Sequence, residues 1–230
     1  MVTLKPRILF VGYGHLAKSL ASKSFLKNFT IDSINSKSRI YSLNSKKEIN
    51  KLNYPFKYVF LLVRPNLFYQ KGSEFNKYVG LKTVVVSCMA GVTINRIQKI
   101  INSKNLIRIM PNVMAKQNAS HTYVYVKNKK LINTSFNKIL KSFGTFHFAS
   151  KEDEINIATA LYGSGPAFIA YLVNAFVAAS KNISPKSKLN ESDVIHLFQN
   201  VISINDSSQK LEKFVQSIAS KKGTTQAGVH

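Results

Sequence analysis

The first residues with recognisable chemistry form a glycine-rich segment near the N-terminus, GYGHLA at residues 12–17. It follows a short apolar run and precedes a stretch with helical spacing, which is the setting of a GxGxxA turn between a strand and a helix. Gly12 would permit the tight turn, Gly14 would let the backbone approach a pyrophosphate, and Ala17 would replace a third glycine at the helix–strand contact. The helix N-terminus would bind the anion. In this context the segment predicts a dinucleotide site, with a plain glycine turn as the alternative.

A second candidate segment, NSKSR at residues 35–39, follows the second predicted strand. NAD-specific folds place an Asp or Glu here to hold the ribose hydroxyls, whereas a 2′-phosphate needs cationic or hydroxyl partners. The segment has no acid, which favours NADPH and makes Ser36, Lys37 and Arg39 its candidate ligands. Basic residues are common in every part of this chain, which is the alternative explanation.

These segments require a scaffold of strands and helices. Apolar runs rich in Val, Ile, Leu and Phe predict strands at residues 8–11, 58–63, 83–87 and 106–110, with a weaker strand at 31–35 and a sixth at 121–126. Runs that are apolar on consecutive positions indicate a sheet buried on both faces, and therefore parallel strands covered by helices. Helical spacing between the strands indicates βαβ units. We predict an α/β domain with a doubly wound, mostly parallel sheet over residues 1–150.

The predicted strand ends carry turn-forming residues. Gly12 follows the first strand, and Arg64-Pro65, Ala90-Gly91 and Pro111-Asn112 follow the third, fourth and fifth. In an open parallel sheet these carboxyl ends lie along one crevice, where ligands bind. Four such ends together predict a binding site.

From about Ser150 onward only helices are predicted. Gly163-Ser164-Gly165-Pro166 begins a helix, since proline suits a first helical turn. The helix that follows, residues 168–177, is apolar on every face and must be enclosed by other protein. The 80 residues after Ser150 are too few to enclose it, so we expect a partner subunit to cover it. Two further helices are predicted, one opening at Asn190 or Ser192 and one over 211–219. Residues 151–230 therefore form a smaller, all-α dimerisation and substrate-binding domain.

Composition narrows the function further. The chain has 33 Lys and Arg against 10 Asp and Glu, a formal net charge of +23. Such a charge suits nucleic acid or an acidic membrane, but the basic residues are spread along the chain and no RNP, helix-turn-helix or zinc-finger pattern accompanies them. We attribute the charge to a general preference for Lys, Asn, Ile and Ser, and expect anionic small ligands and no nucleic acid.

Other classes are also disfavoured. Cys88 is the only cysteine and lies in an apolar run, so we expect a buried thiol and no disulfide within the chain. The five histidines show no HxH or HExxH spacing, so no metal site is expected. The N-terminal apolar run is too short for a signal peptide. The most apolar segment, 167–179, is interrupted by Asn174 and too short to cross a bilayer. We expect a soluble, cytoplasmic protein without a membrane partner.

Four further segments resemble motifs of the pyrroline-5-carboxylate reductase family. VRPN at 63–66 resembles its V-K-P-Q, and RIMPN at 108–112 resembles its R-V-M-P-N. TALYGSGPA at 159–167 resembles T-A-L-S-G-S-G-P-A, and SKKGTTQAG at 220–228 is similar to S-P-G-G-T-T-I-A-G. All four occur in the family's order and spacing, so the resemblance covers nearly the whole chain.

The resemblance implies a Rossmann-type domain followed by a dimerisation domain, in a homodimer or an assembly of dimers. The implied reaction is the reduction of 1-pyrroline-5-carboxylate to L-proline with NAD(P)H, the last step of proline biosynthesis. The dinucleotide would be surrounded by residues from five strand ends, with the last three near the nicotinamide: Gly12, Gly14, His15, Leu16, Ala17, Ser36, Lys37, Val63, Arg64, Pro65, Ala90, Gly91, Met110, Pro111 and Asn112.

The implied substrate residues belong to the start of the apolar helix, from the other subunit, and to a turn near the C-terminus: Ser164, Gly165, Ser220, Gly223, Thr224 and Thr225. Backbone N–H groups of the turn suit the substrate carboxylate. The hydroxyl of Thr225, the predicted catalytic group, would hydrogen-bond the ring nitrogen. Hydride attack on a protonated imine requires placement more than a strong acid or base, so the site needs no catalytic His or carboxylate.

Three departures from the family pattern keep alternatives open. Arg64 replaces the usual Lys, which alters geometry, and Lys221-Lys222 replaces Pro-Gly in the substrate turn. The sequence ends at His230, five residues after Thr225, where family members continue through a long helix. A non-catalytic or impaired NADP-binding relative is therefore the second hypothesis. A related imine or β-hydroxyacid reductase and a basic nucleic-acid binder are lesser ones.

Overall fold

The computed structural model describes residues 5–204, 211–220, 223 and 227. The chain divides into two compact units, Met1–Pro166 and Ala167–His230. Strands end at Phe148, and only helical elements follow in the described residues, as expected. The domain boundary at residue 150 stays a prediction, and residues 151–166 lie in the first compact unit.

The first unit is built on one sheet. Its strands are β1 (Arg7–Val11), β2 (Thr30–Ile34), β3 (Ile40–Ser42), β4 (Lys47–Ile49), β5 (Tyr58–Leu61), β6 (Val84–Ser87), β7 (Leu106–Met110), β8 (Ser120–Val126) and β9 (Gly144–Phe148). Within the described residues they follow the order β4-β3-β2-β1-β5-β6-β7-β8-β9. Neighbours from β2 to β7 are parallel, as are β8 and β9, whereas β7–β8, β2–β3 and β3–β4 are antiparallel. The predicted mostly parallel sheet is confirmed.

The helices are α1 (His15–Leu20), α2 (Lys23–Asn28), α3 (Pro65–Lys71), α4 (Ile94–Gln98), α5 (Thr134–Phe143), α6 (Glu154–Ala158), α7 (Gly165–Ile183), α8 (Glu191–Ile204) and α9 (Leu211–Ile218). Short 3₁₀ helices occupy Gly72–Tyr78, Val113–Gln117 and Lys129–Leu131, and a π-helical turn occupies Thr159–Gly163. The predicted helix after β1 is therefore present, and α5 connects β8 to β9.

The central strands are buried on both faces. Ile8 and Phe10 of β1 pack on one side in a cluster with the apolar residues of α1, α2 and α5. Leu9 and Val11 pack on the other side with apolar residues of α3 and α4. This two-sided burial is why the strands are apolar on consecutive positions. Cys88 lies in the first cluster, 8% exposed, and burial raises the pKa of its thiol, so the group stays protonated, in line with a structural role.

The second unit contains most of α7 together with α8 and α9. Helix α8 begins where predicted: the Oδ1 of Asn190 accepts from the N–H of Ser192 at 2.8 Å, and the Oδ2 of Asp193 accepts from the N–H of Asn190 at 2.9 Å. The two groups cap the helix reciprocally. Within the unit, the rings of Phe176 and Phe198 pack edge to face with centroids 5.9 Å apart, which joins α7 to α8.

Helix α7 presents large apolar side chains to solvent: Phe168, Ile169, Tyr171, Leu172, Phe176 and Ile183. The prediction that the most apolar segment, 167–179, is too short to cross a bilayer is wrong. The α6 helix, the π-helical turn and α7 form one helical run of 30 residues, Glu154–Ile183, with mean hydropathy 1.3 over its most apolar window. Length and composition alone are weak evidence for a membrane span, since core helices of soluble proteins can meet both criteria. The exposed apolar surface requires a cover outside this chain's described residues.

Candidate functional site

The sheet has a topological switch point at β1, where β2 lies on one side and β5 on the other. The carboxyl ends of these three strands open onto a cavity of about 470 Å³. Ligands of open α/β sheets bind at such switch points. Five of the predicted cofactor residues line the cavity: Gly12, Gly14, Ser36, Val63 and Arg64.

Gly12 occupies a position that only glycine fits well. Its φ is +103°, and its N–H donates to the carbonyl of Ile34 at 2.9 Å. A Cβ built at Gly12 would lie 2.6 Å from the carbonyl oxygen of Leu62, which follows β5. The backbones that follow β1, β2 and β5 therefore converge at this residue.

Gly14 has a different role. It lies at the N-cap of α1 with φ −89°, no side chain caps the helix, and a Cβ there would meet nothing within 4 Å. His15 and Leu16 form the first helical turn, and Ala17 is buried against the core. The uncapped N–H groups and the bare backbone at Gly14 together leave room for an anionic group to approach.

The loop after β2 is organised by Asn35. Its Oδ1 accepts from the N–H groups of Lys37 at 2.9 Å and Arg39 at 3.0 Å, and Ser38 adopts φ +58°. Ser36 and Ser38 line the cavity. Lys37 and Arg39 do not, and the Arg39 guanidinium lies 3.9 Å from the exposed Glu48 carboxylate.

The acidic residue nearest to the end of β2, Asp32, already has an ion-pair partner. Asp32 lies inside the strand, and its buried carboxylate accepts from Arg7 at 3.1 Å. Burial raises the pKa of Asp32, while the Arg7 guanidinium opposes that rise. Asp32 is therefore committed to Arg7 and is not a ligand for ribose hydroxyls at the strand end.

One wall of the cavity was missed by sequence reasoning. It comes from α3 and the following 3₁₀ helix, and its lining residues are Leu67, Lys71, Glu74, Phe75, Lys77 and Tyr78. The spacing of residues 67, 71, 74 and 78 is that of one helical face. The helical periodicity after the VRPN segment could therefore have predicted this wall. Pro65 begins α3 and Arg64 is its N-cap.

The last five predicted cofactor residues, Ala90, Gly91, Met110, Pro111 and Asn112, lie further along the same sheet edge and do not line the cavity. Ala90 and Gly91 form an exposed turn after β6, with Gly91 at φ +68°. Met110 ends β7 and packs on Ile155 and Ala158 of α6. Pro111 and Asn112, which follow it, are buried.

Asn112 holds the loop after β7 in place through three hydrogen bonds. Its Nδ2 donates to the carbonyl of Tyr162 at 2.9 Å, and its Oδ1 accepts from the N–H of Met114 at 3.0 Å. Its own N–H donates to the Oγ of Ser120 at 3.0 Å. Two side-chain hydrogen bonds and one backbone hydrogen bond therefore position the residue.

A buried charge cluster, not predicted as such, lies beneath this loop. Arg108 on β7 is fully buried, with Nη1 at 3.2 Å from the Glu152 carboxylate and Nη2 donating to Asn156 at 2.9 Å. Burial lowers the pKa of Arg108, and the Glu152 carboxylate opposes that change. Glu152 also accepts from the N–H of Ile94, the first residue of α4. The cluster ties β7, α4 and the start of α6 together.

The predicted substrate residues lie in two places. Ser164 and Gly165 lie at the start of α7, with Ser164 exposed. Ser220 and Gly223 share one turn, in which the N–H of Gly223 donates to the carbonyl of Ser220 at 2.9 Å. Thr224 and Thr225 lie outside the described residues, so the catalytic role of Thr225 stays a prediction.

Known proteins resemble this chain along its length. A family model described as pyrroline-5-carboxylate reductase dimerisation matches residues 152–230. The pyrroline-5-carboxylate reductase of Staphylococcus haemolyticus is 29% identical over 97% of this chain and 88% of its own length, and that of Staphylococcus aureus strain COL is 26% identical with the same coverage.

Solved structures agree. 1-Pyrroline-5-carboxylate reductase from Streptococcus pyogenes is 25% identical, with a TM-score of 0.70 over 97% of this chain and 88% of that one. Plasmodium falciparum pyrroline carboxylate reductase with NADP bound, 20% identical, shares the fold with a TM-score of 0.73 over 100% and 89% of the two chains. The dimerisation-domain match, the relatives and the solved structures all indicate the pyrroline-5-carboxylate reductase family.

Proposed function

We propose that this protein reduces 1-pyrroline-5-carboxylate to L-proline with NAD(P)H, as a homodimer or an assembly of dimers. The observation that carries the proposal is the cavity at the end of β1, where Gly12 permits the close approach of the Leu62 backbone and Gly14 leaves open space that a Cβ would occupy. Relatives aligned over 97% of the chain are named for this enzyme, which disfavours the non-catalytic alternative.

The residues present fit a dinucleotide. The uncapped N–H groups of α1 would hold its pyrophosphate, and Val63 and Arg64 would form the opposite wall. When bound, the reduced nicotinamide supplies a hydride. The loop after β7, fixed by Asn112, would carry Met110 and Pro111 beside that ring. Arg64 and Lys71 would add positive potential for an anionic substrate or coenzyme.

Exposure of the apolar α7 face and the match of residues 152–230 to a dimerisation family support the assembly. A partner subunit covering this face would also bring its own Ser164 and Gly165 toward the site, as the family resemblance implies. A cytoplasmic location, and the absence of nucleic-acid and membrane partners, stay predictions.

The activity itself is the first test. Purified protein mixed with 1-pyrroline-5-carboxylate and NADPH is expected to consume the coenzyme and to release proline in equal amount. Absorbance of the reduced coenzyme and chromatographic detection of proline measure the two. No consumption by folded protein that demonstrably binds NADPH would contradict the proposed function.

We further propose that NADPH is preferred over NADH, because the loop at 35–39 has no acid and Asp32 is held by Arg7. Ser36→Asp would place a carboxylate against the 2′-phosphate. We expect it to lower kcat/KM for NADPH by about tenfold or more, equivalent to ~1.4 kcal/mol, with little change for NADH.

Steady-state kinetics with both coenzymes at a fixed imine concentration measure this change. Ser24→Asp, at an exposed position on α2, is the matched control and adds the same charge away from the cavity. If both variants lower the rate with NADPH equally, the effect is one of net charge and Ser36 does not contact the phosphate.

A further inference from the structure

Tyr162 stands where the family motif quoted above has serine. It lies in the π-helical turn Thr159–Gly163. Its ring stacks on Tyr123 of β8, with centroids 5.3 Å apart and planes at 30°, and it contacts His121 with centroids 5.0 Å apart. An aromatic side chain therefore makes contacts here that serine is too short to make.

The same residue also contacts the loop after β7 through its backbone. Its carbonyl accepts the hydrogen bond from the Nδ2 of Asn112 at 2.9 Å. Tyr123, under the ring, is the residue paired with Met110 across the β7–β8 ladder. Tyr162 is thus attached to both sides of the segment that carries Met110 and Asn112.

The conformation of the turn makes these attachments important. A π-helical turn is wider than an α-helical one and is rarely stable by itself. A Cβ at Gly163 would lie 3.9 Å from the Met110 sulfur, so the turn passes close to the end of β7. Contacts outside the helix must hold it there, and Tyr162, the fourth residue of the turn, makes such contacts through its ring and its carbonyl.

We infer that Tyr162 is a positioning residue: its ring, stacked on β8, holds the turn that precedes α7 against the loop Met110–Asn112. The inference rests on the proposed function, in which this loop lies beside the nicotinamide. Small displacements of such positioning groups change the rate and substrate binding without touching the coenzyme cavity at the end of β1.

The test compares Tyr162→Ser with Tyr162→Phe. The serine variant removes the stack and is expected to raise KM for the imine and lower kcat, together by roughly tenfold or more in kcat/KM. KM for NADPH is expected to stay within about twofold, because the cavity residues are separate from the turn. The phenylalanine variant keeps the ring and is expected to behave like the wild type.

A second readout does not depend on activity. Amide hydrogen exchange in peptides covering 110–118 and 159–164 is expected to speed up in Tyr162→Ser and not in Tyr162→Phe. Tyr123→Val removes the same stack from the strand side with a residue that favours strands, and it must reproduce both effects even where Tyr162→Ser fails to fold. Tyr69→Ser, at a half-exposed tyrosine on α3, is the control for loss of a ring.

The outcomes separate the inference from the proposed function. An active wild type with unchanged kinetics and exchange in Tyr162→Ser and Tyr123→Val overturns the inference and leaves the proposed function intact. An inactive wild type overturns the proposed function and, with it, a positioning role in that reaction. Changed kinetics with changed exchange, restored by phenylalanine, supports the inference.

Discussion

Replacing Gly12 with alanine is expected to destabilise the protein by about 2–6 kcal/mol and to abolish coenzyme binding. Two costs add. A non-glycine residue at φ +103° is strained by roughly 1–3 kcal/mol, and the new Cβ would lie 2.6 Å and 2.8 Å from the carbonyl oxygen and carbon of Leu62. Overpacking of this kind costs about 1–3 kcal/mol, and backbone atoms cannot rotate away as a flexible side chain would.

Thermal unfolding and titration with NADPH measure the two effects. A loss of this size corresponds to a fall in Tm of about 4–24 °C for a chain of this length. Gly14→Ala is the matched control, because its φ is −89° and its Cβ would meet nothing within 4 Å. It is expected to keep a near-wild-type Tm and still bind NADPH more weakly, since the methyl group would occupy the space proposed for the pyrophosphate.

The two glycine variants test two separate parts of the interpretation, the backbone packing at Gly12 and the pyrophosphate position at Gly14. If Gly12→Ala unfolds at the wild-type temperature, the convergence of the three backbones at this residue is wrong. If Gly14→Ala binds NADPH as tightly as the wild type, the pyrophosphate does not lie at the start of α1.

The parallel core of the sheet could be predicted because its strands are buried on both faces. That burial requires apolar residues at every position, as in the run Tyr58–Leu61, and such runs are visible without any tertiary information. The turn at Gly12 was equally visible, since a tight turn and a close backbone approach both require glycine. Sequence therefore located the cavity and five of its lining residues.

The edge strands β3 and β4 could not be predicted in the same way. Each has three residues, and β4 is Lys-Glu-Ile, with no apolar run to recognise. These strands exist because they pair in register, Ile34 with Ile40 and Ile40 with Ile49. Pairing of this kind is a property of the assembled sheet and not of the local sequence.

Lysines illustrate a second limit of sequence reasoning. Position in the chain suggested Lys37 as a phosphate ligand, and that role stays a prediction. In the Asx-type turn built by Asn35, Ser36 and Ser38 line the cavity and Lys37 does not. Lys71 and Lys77 reach the same cavity from a helical wall about forty residues away in sequence. In so basic a chain, the direction of each backbone segment decides which lysines reach the cavity.

The role of Arg108, a buried charge, also could not be predicted from the sequence. The second large effect that we predict concerns this residue and its partner. Its position inside a strand of otherwise apolar residues gave no indication of its partner, which lies 44 positions away. Glu152→Ala is expected to destabilise the protein by about 3–5 kcal/mol, because it leaves a buried guanidinium without its counter-charge. The Nε of Arg108 already has no partner among the described residues, so little compensation is available. The variant also removes the acceptor for the N–H of Ile94.

Arg108→Met is expected to cost less, about 1–3 kcal/mol, although it changes the more buried member of the pair. The Glu152 side chain is 17% exposed, so water can solvate its carboxylate, which still accepts from Ile94. The double variant should lose less stability than the two single losses added together, because removing both charges avoids the unpaired guanidinium. Equilibrium unfolding in urea measures all three variants.

Glu48→Ala is the control for loss of an ion pair, since the Arg39–Glu48 pair spans 3.9 Å between side chains that are 59% and 50% exposed. Exposed pairs of this kind contribute little, so no measurable loss is expected there. The ranking Glu152→Ala above Arg108→Met above Glu48→Ala follows from the burial of the charge that each variant leaves unpaired. A Glu152→Ala variant as stable as Glu48→Ala would mean that Arg108 reaches water in solution, and the cluster would then not be what holds the start of α6 against β7.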